Sequence, residues 1–423
     1  MRRLLCIGLL VVCPPVWAAL SDDLLSVYTR ARGNYPALQQ AQAQAGASNA
    51  SADLNRAPLL PQWTLSVTPR QTAGVNSNNA SSQITQSIVN LAALDTWRAA
   101  RADAQAQAAT LRAAEQALVA EVAVRYFALL SAQSQLDTLS ANEAAVAELV
   151  RQSKVRVAER LTAAVDVDQA RAYLGLAQAA TQQAREALAD ANQAVQELTG
   201  EAPLPLKPLR QGFQPAMPQP ADAPAWVTEA LADNPVLQSG KELVLASEAR
   251  IKAARAANLP TLGLSFSTDR GPVNGAAGSR QVTTNTVGLT LNVPIVAGGA
   301  TFAATRQALY NRDAASAQFE ASRRSIVRNV EAQLQAVRGS VAEIAIAEPG
   351  AEAAERALSA SRAGHQYGTR TLTDVLNAIQ TNGQAQLQLT QARHRHLVAL
   401  LQLKQAVGRL SVDDLVAVNA LLE

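Results

Sequence analysis

A chain of 423 residues would ordinarily fold as two or three domains, but only 4% of this one is aromatic and 17% charged, with alanine and glutamine in long runs. That composition suits long, thinly packed helices and argues against a large aromatic core. A net charge of +3 is small for this length and gives no case for nucleic acid or an anionic membrane surface as partner.

Residues 1–18 form a separate unit. Arg2 and Arg3 precede an apolar run from Leu4 to Val12, and Val16-Trp17-Ala18 places small residues at the −3 and −1 positions. The pattern predicts a Sec-type signal peptide cut after Ala18 or Ala19. Cys6 and Cys13 both lie inside it, so the mature chain is expected to hold no disulfide and no thiol chemistry. As an acylation site Cys13 fits poorly, between Val11-Val12 and Pro14.

After the signal, a helix begins at Leu24, pauses at Asn34-Tyr35-Pro36 and resumes to Arg56. Pro58 and Pro61 end it. Trp63, Leu65 and Val67 then alternate with Thr64, Ser66 and Thr68, a polar loop TAGVNSNNASS comes next, and a less regular strand runs from about Gln83 to Leu91. This reads as a β-hairpin over 62–91. From Leu94 to Arg160 there is no Gly or Pro, and Leu111, Leu118, Val122, Leu129, Leu136, Leu139, Val146 and Val150 recur at sums of threes and fours. The spacing predicts a coiled-coil-like helix over 94–160, about 100 Å long at ~1.5 Å per residue. A second helix is expected over 163–198, stopped by Gly200.

Seven prolines between Pro203 and Pro224 predict a linker over 203–224, and the second half of the chain repeats the pattern of the first. Asp233-Asn234-Pro235 echoes Gly33-Asn34-Pro36, and Asn258-Leu259-Pro260 echoes Leu59-Leu60-Pro61. Leu262, Leu264 and Phe266, a Gly-rich loop, and Val287, Leu289, Leu291 and Val293 predict a second hairpin over 261–294. Long helices are then expected over 298–363 and 371–410, the first kinked or broken at Pro349-Gly350. The repeats are thus 19–202 and 225–423, each giving two strands. No segment supplies the ~20 consecutive apolar residues of a membrane helix. Four strands cannot close a barrel, and lipid tolerates no open sheet edge. With apolar and polar residues alternating, the strands predict a barrel pooled from several subunits.

The stretch that organises the chain is His365 to Leu410. Gly364 and Gly368 are expected to stop one helix, and Thr371 three residues before Asp374 forms a capping-box spacing that starts the next. The order G-T-R-T-x-x-D-V-L, then a Gln/Ala/Leu helix closing on A-V-G-x-L and SVDDLVAVNALL, closely resembles the TolC family of trimeric outer-membrane efflux and secretion channels. That resemblance implies an α+β membrane protein: a trimeric 12-stranded β-barrel, four strands per chain, continued by a long α-helical periplasmic tunnel. It also implies a homotrimer in the outer membrane lipid of a Gram-negative cell, docked through a periplasmic adaptor (membrane fusion protein) onto an inner-membrane ABC or RND transporter. The cargo implied is drugs or secreted proteins. A periplasmic coiled-helix scaffold without a channel is the rival reading, against which the alternating strands speak.

In that family polar links between two tip hairpins hold the periplasmic entrance closed, and aspartate rings line it. Carried over by position, Arg370 and Asp374 match, and Asp166 matches the aspartate of the first-half tip. Asn377 stands where the family has a second ring aspartate, His365 where it has tyrosine, and Arg160 where it has glycine. Locally, Asp374 is also simply a helix cap, and a cap can face a lumen. His365 is expected either to add an acid-strengthened link or to be a plain surface side chain. His394 and His396 point to different faces, suit no shared metal, and read as solvated or interfacial. Phosphate-loop and nucleophile-elbow motifs are absent, so no catalysis, metal or cofactor is assigned.

Overall fold

The computed structural model describes residues 21–423 except 73–74, 161–162, 211 and 276–277; the expected signal peptide and both cysteines lie outside the described residues. Two helices, α1 (Leu24–Asn34) and α2 (Pro36–Arg56), lead into β1 (Gln62–Thr72) and β2 (Val75–Val89). The chain continues as α3 (Leu91–Ala158), of 68 residues, and α4 (Ala164–Thr199), of 36. The second half repeats this order: α5 (Ala223–Asp233), α6 (Pro235–Ala256), β3 (Thr261–Gly275), β4 (Gly278–Asn292), α7 (Ala300–Gln366) and α8 (Leu372–Val407), with a short α9 (Val412–Asn419) closing the chain.

The four strands form one antiparallel sheet in the order β1-β2-β3-β4, so the two halves join at the β2–β3 pair. The strands of both hairpins run further into the expected loops than hydropathy suggested. Much of TAGVNSNNASS is strand, with Thr72 already opposite Val75, and Gly275 pairs with Gly278. The backbone ladder continues where the apolar alternation stops, because Ser, Thr and Asn occupy an antiparallel ladder without needing a buried face.

Register places Trp63, Leu65 and Val67 on the same face as Ile84, Leu262, Leu264, Phe266, Val287, Leu289 and Leu291. The opposite face carries Thr64, Ser66, Gln83, Thr85, Ser265, Ser267, Thr286 and Thr290. Val287, Leu289 and Leu291 are 72%, 68% and 64% exposed, too much apolar surface to leave in water. Within the chain the outer edges of β1 and β4 pair with no other strand among the described residues.

Below the sheet, the long helices carry the other elements on their flanks. The α3 seam is buried at Leu118, Val122, Leu129, Val146 and Val150. Midway along, Leu24, Val27, Tyr126, Phe127, Leu198, Leu397, Leu401 and Leu415 gather into the main core. Within the expected linker, residues 205–210 strap that core. Lys207 N donates to Asp22 O (3.1 Å), Arg210 N to Leu421 O (2.9 Å), and the Tyr126 hydroxyl to Lys207 O (2.9 Å). The repeated asparagines act alike: Asn34 Nδ2 donates to Thr199 O (2.7 Å) at the end of α4, and Asn234 Nδ2 to Ala406 O (2.8 Å) at the end of α8.

Pro349 does not break α7, which is helical from Ala300 to Gln366. Pro349 and Ala345, whose carbonyl it deprives of a donor, are both exposed, so water can take the orphaned oxygen.

The ladder is the element most sensitive to one change. Leu289→Pro removes an N–H from the β3–β4 pairing. It is expected to abolish recovery in the outer-membrane fraction while the far-ultraviolet helix signal of the detergent-extracted chain stays within about a tenth of wild type, because the helices pack on one another in cores that contain no strand residue.

Candidate functional site at the helical tip

The end of the molecule farthest from the sheet consists of two helical turns. In the second half, α7 runs through Gly364, and Gly368 makes the stop, with φ +73°. Thr369 N donates to Gly364 O (2.8 Å) and Gly368 N to His365 O (3.2 Å), the paired bonds of a Schellman C-cap. Gly364 therefore does not end the helix, contrary to expectation. It makes room: a Cβ there would lie 2.7 Å from Arg370 Cγ and 3.0 Å from Thr369 Oγ1, because the turn folds back across it. In the first half Arg160 takes the left-handed conformation, φ +60°, which explains why glycine suits that position.

The capping box forms as the spacing predicts. Asp374 N donates to Thr371 Oγ1 (3.2 Å), while Thr371 N (2.9 Å) and Oγ1 (2.8 Å) both donate to Asp374 Oδ2. The Thr371 backbone N–H, then its hydroxyl, hold the Asp374 carboxyl below the usual carboxylate range, with a smaller pull from Arg370. Asp166 holds the matching place in the first turn of α4, which starts on Ala163 with no side-chain cap.

Arg370 and Asp166 are not joined within one chain by any ion pair among the described residues. Asp166 instead acts electrostatically on His365. Burial, then the Arg156 guanidinium, lower the His365 pKa, and Asp166 raises it. Half-buried among these groups, His365 holds its charge only at more acid pH than a free imidazole.

What ties the two tips inside the chain is neutral and was not foreseen. Gln169 Nε2 donates to Thr373 Oγ1 (2.9 Å), and the Tyr173 hydroxyl to Asn377 Oδ1 (3.2 Å). Two i, i+4 pairs, Gln169/Tyr173 and Thr373/Asn377, face each other across α4 and α8. That matched spacing was the available signal. Beneath them Val146, Val150, Ala170, Leu358, Leu372, Val375, Leu376 and Ile379 form a small core.

His394 and His396 do point to different faces, but neither is solvated. They are 6% and 1% exposed, and their Nδ1 atoms meet Ser131 Oγ of α3 (2.7 Å) and Ser340 Oγ of α7 (2.9 Å). The α8 helix is wedged between both long helices, so each face finds a serine. Burial lowers both pKa values, that of His394 to about 4. Among the described residues no cluster of His, Cys, Asp and Glu could hold a metal.

An apolar-faced sheet with open edges, continued by 67- and 68-residue helices to a polar tip, defines a subunit of a barrel-and-tunnel channel. The Outer membrane efflux protein family matches residues 27–201 and 226–409, and the chain belongs to that family. Outer membrane protein TolC of Escherichia coli K12 is 33% identical over 423 residues, covering 94% of this chain and 85% of that protein. Alkaline protease secretion protein AprF of Pseudomonas aeruginosa is 29% identical, covering 95% and 88%. The Campylobacter jejuni CmeC outer membrane channel superposes with a TM-score of 0.78 at 17% identity, covering 95% of this chain and 90% of that one. The chain is therefore an outer-membrane export channel protein with its helical part in the periplasm.

Two expectations can be measured. Gly364→Ala should push Arg370 off the helix end and speed tryptic cleavage after Arg370 several-fold, with the midpoint of thermal unfolding nearly unchanged. For His394 the folded-state pKa lies below the ordinary ~6.5, so the unfolded chain binds the extra proton first. Stability should fall as pH drops from about 6.5 to about 4. The loss should reach at most roughly 3.5 kcal/mol at ~1.4 kcal/mol per unit. Thermal unfolding of His394→Gln should show a shallower pH slope over that window.

Proposed function

We propose that three chains of four strands each close a twelve-stranded barrel in the outer membrane, and that their helices form a passive periplasmic tunnel. The observation that carries this reading is the sheet: one face apolar and exposed, the other lined with Ser, Thr and Gln, and both edges open. A scaffold without a channel would leave that apolar face in water. The chain performs no chemistry of its own; energy and choice of cargo reside in an inner-membrane ABC or RND transporter reached through a periplasmic adaptor. The efflux family, and AprF, which is named for protease secretion, support export of drugs or of secreted protein as the task.

The tip is the entrance. In the trimer Asp374 supplies one ring of three carboxylates, and Asn377 leaves the second ring neutral. Arg370, exposed on the turn, reaches a carboxylate of the neighbouring tip. Asp166 is that carboxylate, and His365 shares its field. Exposed pairs of this kind are individually weak, on the order of 1 kcal/mol or less. Three acting together still shift a closed–open equilibrium by about tenfold or more.

The test is a planar-bilayer recording on the detergent-purified protein, with mass measured in parallel. A trimer conducting in small steps is expected. Because carboxylate rings select cations, Asn377→Asp should raise cation selectivity and block by multivalent cations, and Asp374→Asn should remove most of both. Asn377→Asp keeps an acceptor for Tyr173, so the tip contact survives. Arg370→Ser should raise conductance. A monodisperse, detergent-free monomer overturns the channel reading; unchanged selectivity in both ring variants overturns the ring assignment alone.

A further inference from the structure

Just below the sheet, two grooves recur at the same place in the two halves. The first, of about 480 Å³, lies between the end of α2 and the start of α3, lined by Asp53, Arg56, Trp97, Arg101 and Gln105. The second, of about 450 Å³, lies between the end of α6 and the start of α7, lined by Arg255, Asn258, Phe302, Thr305 and Arg306. Each is lined by one arginine from the incoming helix, one from the outgoing helix, and an aromatic ring. Arg56 is the last residue of α2, six before β1 begins; Arg255 is one from the end of α6, six before β3.

The arginines are distinctive in their pairing. Nearby Arg98, Arg250 and Arg312 are matched with Asp95, Asp103 and Asp313. Among the described residues Arg56, Arg101, Arg255 and Arg306 make no ion pair and no side-chain hydrogen bond, and Asp53 is the one carboxylate lining either groove. Four guanidinium forks brought together in pairs with their donors unused call for an anion with several acceptor oxygens. A phosphodiester fits the planar fork better than a point charge does.

Depth selects the source of that phosphate. Trp97 lies six residues along α3 from Leu91, or about 9 Å at ~1.5 Å per residue. Phe302 sits in the first turn of α7, 76% exposed, beside Ile295 and Val296 at 90% and 88%. An exposed aromatic one or two turns beyond the apolar band of a barrel occupies the interfacial layer, where such rings are favoured. Headgroup phosphates lie in the layer bordering it, roughly 5–8 Å thick per leaflet, and side chains of α3 and α7 lean toward their helix N-termini, hence toward that layer. The whole-chain charge of +3 conceals this local concentration.

We infer that each chain holds two phospholipid headgroups of the periplasmic leaflet, one in the Arg56/Trp97/Arg101 groove and one in the Arg255/Phe302/Arg306 groove. The lipids seat the barrel at a fixed height above the tunnel. The inference rests on the membrane-channel reading but adds a ligand to it.

The test is native mass spectrometry of protein reconstituted with phosphatidylglycerol and released into detergent, comparing wild type with Arg56→Gln/Arg101→Gln, Arg255→Gln/Arg306→Gln, the quadruple variant, and Arg98→Gln as control. Wild type is expected to retain phosphatidylglycerol; each double variant should lose about half of it, the quadruple variant at least fivefold, and the control nothing. Circular dichroism and bilayer conductance on the same preparations establish that each variant is folded and inserted. Equal retention in wild type and quadruple variant overturns the inference. So does thermal protection by inorganic phosphate alone that matches the lipid, since the grooves are then anion sites only. A quadruple variant that conducts normally without lipid confirms the grooves and leaves the channel reading intact; wild-type protein that never inserts fails that reading instead.

Discussion

A backbone N–H or C=O inside hydrocarbon has no water to turn to, and four strands leave two rows of such groups unmet. The remaining architecture depends on that deficit. In the assembly proposed above that deficit is met by sharing a barrel, which requires the sheet to be apolar on one face and polar on the other. The deficit also forces the two halves to join at β2–β3, since a hairpin with both edges open would double the unmet groups. In the proposed assembly the helices take a ring geometry, and long helices with alanine-rich seams pack thinly enough to leave a lumen between them.

The midsection shows how the repeats are kept in step. Asn34 and Asn234 each reach across a half to the end of its 36-residue helix. The strap of residues 205–210 binds both the start and the end of the described chain to the same core through Asp22 and Leu421. With the histidines of α8 bonded to one serine on each neighbouring long helix, displacement at the tip is carried by helices already clamped at their middle. The tip is accordingly the part with neutral, replaceable contacts, while the midsection is buried and apolar.

Much of this was legible from residue patterns. Leu118, Val122 and Val150 recur at helical spacing because a buried seam demands it, and Trp63, Leu65 and Val67 alternate because the strand puts them all on one face of the sheet. Thr371 and Asp374 announce their cap, since that device is local. Less local features escaped. The outer halves of the hairpins are strands by backbone pairing, which Ser and Asn do not advertise. His394 and His396 are buried by neighbours hundreds of residues away in sequence or across a helix pair. Gly364 needs its missing side chain for a contact made five and six residues later, a reason that composition does not carry.

The unequal starts of the two short tip helices have a mechanical consequence. The first turn of α8 is closed on itself by Thr371 and Asp374, whereas α4 begins on an alanine after a residue held at positive φ. A residue with a Cβ held in that conformation costs roughly 1–2 kcal/mol, whereas the turn before α8 puts a glycine there. The first-half turn is therefore the one that stores strain, and the second-half turn is already at rest.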